Sequence, residues 1–194
     1  MKKPYSLNKE QMLYVETAKQ KVLQLFYKFP DKEFSLSDIA KEAGVAKANL
    51  GAILASLETI DLIKIERLTK IWRVKANQEN WMFKRAKIVY NLNFIYQSGL
   101  VEFLNQSYNN PKAIILFGSF RKGEDTSSSD IDIAIESDVA KDYKVLGLMA
   151  LSDFEKVIGR SIQIHEFNRK SIDDGLFNNI ANGIVLMGFL EVRK

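Results

Sequence analysis

The chain has 194 residues with 46% apolar content, enough for one large core or two small ones, and a formal net charge of +4. It has no cysteine and one histidine, which excludes disulfides, thiolate catalysis and metal sites built on Cys or on several His. No apolar run approaches the length of a membrane-spanning helix and no signal-peptide core follows Met1-Lys2-Lys3, so a cytoplasmic protein with no membrane partner is expected.

The charge is unevenly divided. Residues 1–85 hold 16 Lys and Arg against 10 Asp and Glu, a net +6, and residues 86–194 hold 12 against 14, a net −2. A basic front half points to a polyanionic partner. There, Met12, Val15, Val22, Leu25, Phe26 and Phe29 recur at helical spacing and predict a helix over about 8–29, stopped by Pro30. Ser35 reads as an N-cap with Asp38 three residues on, opening a short helix that carries Leu36, Ile39, Ala40 and Ala43 and breaks at Gly44. A third helix over 46–59 would bury Leu50, Ile53, Leu54 and Leu57. Residues 62–67 and 71–75 then alternate apolar and charged about a turn at Leu68-Thr69-Lys70, as a β-hairpin does.

Helix, glycine-containing turn, helix and hairpin in this order resemble the winged helix-turn-helix family over roughly residues 6–76, most recognisably in Ser-Leu-Ser-Asp-Ile-Ala-Lys-Glu-Ala-Gly-Val at 35–45. The resemblance implies DNA binding with the second helix of the motif in the major groove, Lys47 and Asn49 near its start, and Arg67, Lys70 and Arg73 of the wing on phosphates. That helix offers few side chains for bidentate base readout, so phosphate-driven, salt-sensitive binding is expected. A protein-interaction module is the alternative.

Residues 80–97 are rich in aromatics, with Trp81, Phe83, Tyr90, Phe94 and Tyr96 among Met82, Ile88, Val89, Leu92 and Ile95. Apolar groups on more than one face predict a helix that packs on both flanking modules or pairs with a second copy of the chain as a homodimer. Ser98-Gly99 interrupts it before a helix over 100–108, and Asn109-Asn110-Pro111 turns into the next strand. The expected division is a winged helix-turn-helix at 1–78, a linking helical segment at 79–110, and a third module at 111–194.

That third module carries the chemistry. An apolar run ending in Gly118-Ser119 is followed by a polar loop and by Asp130-Ile131-Asp132, which opens a second apolar run. Carboxylates at i and i+2 on a strand project from one face. Glycine lets the main chain turn sharply enough for its N–H groups and the Ser119 hydroxyl to face a phosphate. Asp130 and Asp132 are hard oxygen donors suited to Mg²⁺ or Mn²⁺, and a metal beside a phosphate cradle suits attack on the α-phosphorus of a triphosphate. Gly118-Ser119, ten intervening residues and Asp130-Ile131-Asp132 are similar to the signature of the polymerase-beta-type nucleotidyltransferases, particularly its minimal members. Arg121-Lys122-Gly123-Glu124, Ser129 and the closing segment at 182–188 match as well. The resemblance covers roughly 111 to the C-terminus and implies a mixed sheet flanked by helices. It further implies Asp130 and Asp132 as metal ligands, Gly118 and Ser119 on the triphosphate, and Arg121, Lys122 and Ser129 assisting.

One departure stands out. Active members carry a third carboxylate on a neighbouring strand, and in the strand expected over 161–167 that position falls on Gln163, which is no general base and a poor cation ligand. His165 shares its face and offers a base; Glu166 has the chemistry with the wrong parity unless a bulge re-aims it. A helix is expected over 138–158, carrying Val139, Tyr143, Leu146, Met149, Ala150 and Phe154 and closed by Gly159.

The sequence therefore predicts an α+β protein. Its leading function is Mg²⁺-dependent or Mn²⁺-dependent nucleotidyl transfer from a nucleoside triphosphate to an unidentified acceptor, with a toxin-like protein among the partners the family implies. The second reading is a regulator that binds DNA and senses nucleotide without turnover.

Overall fold

A computed structural model describes residues 16–192 apart from 70, 139, 141, 148 and 171. It divides into two compact units, one reaching to Tyr90 and the other running from Asn91.

In the first unit, α1 (Ala18–Lys28) is followed by β1 (Glu33–Phe34), α2 (Leu36–Ala43), α3 (Lys47–Thr59), β2 (Ile63–Arg67) and β3 (Trp72–Ala76); α4 (Trp81–Gln97) begins in this unit and ends in the second. Helix α1 begins later than its apolar spacing suggests. A capping box forms between Thr17 and Gln20, each side chain accepting the other's backbone N–H, which fixes the helix start at this point. The expected residues 8–15, with Met12 and Val15, lie outside the described residues. Ser35 and Asp38 form the same box before α2, and Gly44 ends that helix at φ 61. The three strands are antiparallel in the order β1-β3-β2. Val22, Phe26, Ile39, Leu54, Leu57 and Val74 are fully buried between helices and sheet, at about 1.5–3 kcal/mol of transfer free energy for each large side chain.

In the second unit, α5 (Leu100–Ser107) starts after Gly99 at φ 74. Asn109 and Asn110, at φ 53 and 57, turn the chain into β4 (Ala113–Phe117), as asparagines in the left-handed region do. Then come α6 (Gly118–Lys122), β5 (Ile131–Glu136), β6 (Lys144–Leu146), α7 (Ser152–Ile158), β7 (Ile162–Phe167), α8 (Asp174–Ala181) and β8 (Ile184–Gly188). The sheet order is β6-β7-β5-β4-β8; β5 and β7 run parallel and all other neighbours antiparallel. Strand alternation sorts the side chains. Ile114, Leu116, Ile131, Ile133, Ile162 and Ile164 pack with Leu104 of α5 and Phe154 and Ile158 of α7. Ala113, Ile115, Phe117, Ala134 and Phe167 pack on the other face with Ile180 of α8.

The helix expected over 138–158 does not form as such. Residues 144–146 instead pair antiparallel with Ile164, His165 and Glu166 of β7, a 3-10 turn covers Met149–Leu151, and only Ser152–Ile158 is α-helical. Val145 and Leu146 satisfy the backbone of β7 as a strand, and Gly147, a weak helix former, follows them. Val139 lies outside the described residues. No helix among the described residues is long and apolar enough to cross a membrane.

Candidate active site

The site lies where β4 ends and β5 begins. Phe117, the last residue of β4, pairs with Asp132, so the residue after it meets that carboxylate. Gly118 sits at φ 71, and a Cβ there would run into Asp132 Oδ2. The backbone conformation calls for glycine, and a side chain there would displace the Asp132 carboxylate. The turn continues as one short helical turn, α6, in which Ser119 and Arg121 are half-buried and Lys122 is exposed. The loop to Asp130 is tied down from within. The Ser129 hydroxyl oxygen accepts the Thr126 N–H at 2.9 Å, so Ser129 shapes the loop. Asp125 is buried, and the Asn91 amide donates both to its Oδ1, at 3.0 Å, and to the Phe120 carbonyl, at 2.9 Å. A buried Arg160 guanidinium lies 3.8 Å from Asp125 Oδ2.

Asp132 and Gln163 are neighbours in the parallel register of β5 and β7, and His165 follows beside Ala134. The Gln163 amide donates to Asp130 Oδ2 at 2.6 Å. His165 Nε2 lies 3.1 Å from Asp132 Oδ1, and its Nδ1 lies 2.5 Å from the Tyr143 hydroxyl. A carboxylate only accepts, so Nε2 carries the proton and donates to Asp132, leaving Nδ1 to accept the Tyr143 O–H. The ring also meets the edge of Phe117, centroids 4.8 Å apart at 78°. Burial pushes the Tyr143 hydroxyl pKa upward, and the charge of Asp132 adds to this. Glu166 is on the opposite face: it pairs in register with Lys144, and its charge acts on Tyr108, whose pKa is raised mainly by burial on that side of the sheet. Parity holds and no bulge re-aims it.

Gly118, Asp130, Asp132, Gln163 and His165 are thus brought together, and Glu166 is not. Reading the sequence missed Tyr143, which falls in a segment of helical apolar spacing, and the Asn91–Asp125 anchor. No sequence signal marks either residue, because both partnerships are made across the fold. As a donor set, two carboxylates fit one Mg²⁺ or Mn²⁺ that keeps several waters and phosphate oxygens. The described residues hold no group of three or more His, Asp or Glu suited to a metal ion.

In the N-terminal unit, Lys47 opens α3 with its ammonium 3.0 Å from the Ser37 hydroxyl, and Asn49 is exposed. Arg67 forks onto Glu58 at 2.9 and 2.5 Å and stacks over Trp72. Arg73 lies opposite Glu66, so Arg67 and Arg73 point to opposite faces of the hairpin. Lys70 lies outside the described residues.

Sequence comparison identifies the domain that carries these residues. The family described as Polymerase beta, Nucleotidyltransferase matches residues 100–189. A protein of Methanocaldococcus jannaschii provisionally named a protein adenylyltransferase is 39% identical over 70 residues, 36% of this chain and 70% of that relative. No solved structure gives a significant match. The chain belongs to the polymerase beta nucleotidyltransferase family.

Proposed function

We propose that the C-terminal unit transfers a nucleotidyl group from a nucleoside triphosphate to a hydroxyl acceptor with Mg²⁺ or Mn²⁺ at Asp130 and Asp132. The observation that carries this is Asp132 packed against the turn at Gly118, with Asp130 two residues away at the mouth of the same strand. The cation would neutralise phosphate charge and orient the α-phosphorus. Gly118 and Ser119 would cradle the triphosphate, and Arg121 and Lys122 would add positive charge beside it. The acceptor oxygen bonds to the α-phosphorus, the bond to the β-phosphate oxygen breaks, and pyrophosphate leaves. His165 is not the base for that step, because Nε2 holds its proton against Asp132 and Nδ1 is engaged by Tyr143. The hydroxyl proton passes to solvent. ATP as donor and a protein side chain as acceptor, a toxin-like partner included, are the choice that the likeness to a named protein adenylyltransferase favours.

The N-terminal unit is, on this reading, a winged helix that binds DNA. Helix, strand, helix, helix and two strands in the sheet order β1-β3-β2 support it. Lys47, Asn49, Lys70 and Arg73 would contact the duplex, and Arg67 would do so after leaving Glu58. A homodimer would cover the exposed apolar residues of α4, among them Trp81 and Val89.

One observation favours a second reading. Gln163 occupies the third position and donates to Asp130, which suits a site that binds nucleotide and reports it to the DNA-binding unit without turnover. Titration of the protein with each of the four nucleoside triphosphates, with and without Mg²⁺, while following pyrophosphate and added mass, separates the two. Release that disappears in Asp130→Asn supports transfer; Mg²⁺-dependent binding without release supports the sensor; no binding removes both.

A further inference from the structure

The proposed metal site has a feature that its two carboxylates alone do not explain. Each carboxylate already has one oxygen engaged by an N–H donor: Asp130 Oδ2 by the Gln163 amide at 2.6 Å, and Asp132 Oδ1 by His165 Nε2–H at 3.1 Å. The second donor is itself held, since the Tyr143 hydroxyl fills His165 Nδ1 at 2.5 Å. Asp132 Oδ2 lies against Gly118.

We propose, resting on the functional reading above, that the site takes one divalent cation together with the triphosphate and not a pair, and that Gln163, His165 and Tyr143 are positioning residues for it. Two cations a few ångströms apart need carboxylates that bridge them. Here the third position supplies an amide, which adds no negative charge, and the inner oxygens of both aspartates are capped by N–H groups. One cation then has an oxygen from each aspartate, with water and phosphate oxygens completing its shell. Tyr143 acts at one remove. The Asp132 carboxylate sets the Nε2–H tautomer, and Tyr143, by donating to Nδ1, holds the ring where that N–H reaches Asp132. Outer partners of this kind typically change metal affinity by about 10–100-fold when removed.

Because the chain contains one histidine, the tautomer can be read without ambiguity from the imidazole ¹⁵N signals of untagged protein. The expected result is the Nε2–H form in wild type and in Tyr143→Phe alike, with Mn²⁺ affinity falling on the order of tenfold in Tyr143→Phe because the ring is no longer held. Counting Mn²⁺ in the presence of an ATP analogue with a carbon bridge between α- and β-phosphates, relative to Asp130→Asn, should give one ion in wild type and two in Gln163→Asp. Two ions in wild type, or an Nδ1–H histidine, would overturn the inference while leaving nucleotidyl transfer standing. No Mn²⁺ above the Asp130→Asn level would overturn both.

Discussion

Replacing Gly118 with alanine should damage the site in two separable ways. The left-handed conformation at φ 71 costs a residue with a Cβ about 1–2 kcal/mol. The added Cβ also collides with Asp132 Oδ2, so Asp132 must swing away from His165. Breaking a hydrogen bond to a charged group costs about 1.5–3 kcal/mol when buried. The Asp132 side chain is a quarter exposed, so about 1 kcal/mol is the reasonable share. The total is roughly 2–3 kcal/mol of unfolding free energy. Gly44→Ala is the internal control: its φ is 61, and a Cβ there meets nothing within 4 Å, so it carries the backbone strain without the collision. Urea unfolding of each unit, with Mn²⁺ titration alongside, makes the comparison. Gly118→Ala should lose more stability than Gly44→Ala and at least tenfold in Mn²⁺ affinity; Gly44→Ala should bind Mn²⁺ as wild type does. Equal losses in the two variants, with Mn²⁺ binding intact, would refute the claim that Asp132 rests on the turn.

Gly51 lies inside α3 with open space where a Cβ would go, so Gly51→Ala should stabilise the N-terminal unit by about 0.5–1 kcal/mol in the same unfolding assay. Tyr27 is buried against Phe83 and Tyr90, and burial pushes its pKa up to about 12. The folded state keeps the phenolic proton after the unfolded state has lost it, so stability present below about pH 10 is lost as pH rises toward 12, by roughly 2–3 kcal/mol. Tyr27→Phe should flatten that alkaline loss in thermal scans from pH 9 to 12. Glu136 is buried at the far end of β5, where desolvation raises its pKa against the opposing pull of Arg169 and Lys112. Its contribution is full at acid pH and declines as pH rises through the elevated folded value. Urea midpoints should therefore show Glu136→Gln gaining on wild type between pH 4 and 7; a constant difference would count against the burial argument.

Features set by neighbouring residues were legible in the sequence. The Ser35–Asp38 box, the break at Gly99, the turn at Asn109-Asn110 and the placing of Asp130 and Asp132 at a strand opening all follow from short-range stereochemistry or from period-two alternation. The parity argument that separates Gln163 and His165 from Glu166 also holds. Strand β6 escaped because three residues carry no period of their own. Tyr143, Leu146, Met149 and Ala150 also mimic a helical stripe, and what decides the conformation is pairing with β7. The Tyr143–His165–Asp132 chain was hidden for the same reason, since its first member belongs to the segment so misread. Arg67 and Arg73 look like a single basic wing in the sequence, but the register puts them on opposite faces and commits Arg67 to Glu58.

The way the five-stranded sheet ends bears on how the protein behaves when concentrated. On one side it closes with β6, three residues long and begun by an exposed lysine. On the other, β8 pairs with β4 through a register shift at Ile114/Ile115, and it stops at Gly188, whose φ is 79. Long flat edges recruit further strands from other molecules, and short, charged or bulged ones resist it. Neither border of this sheet offers a straight template, so growth into fibrils by edge addition is disfavoured even though Val185 and Phe189 are exposed nearby.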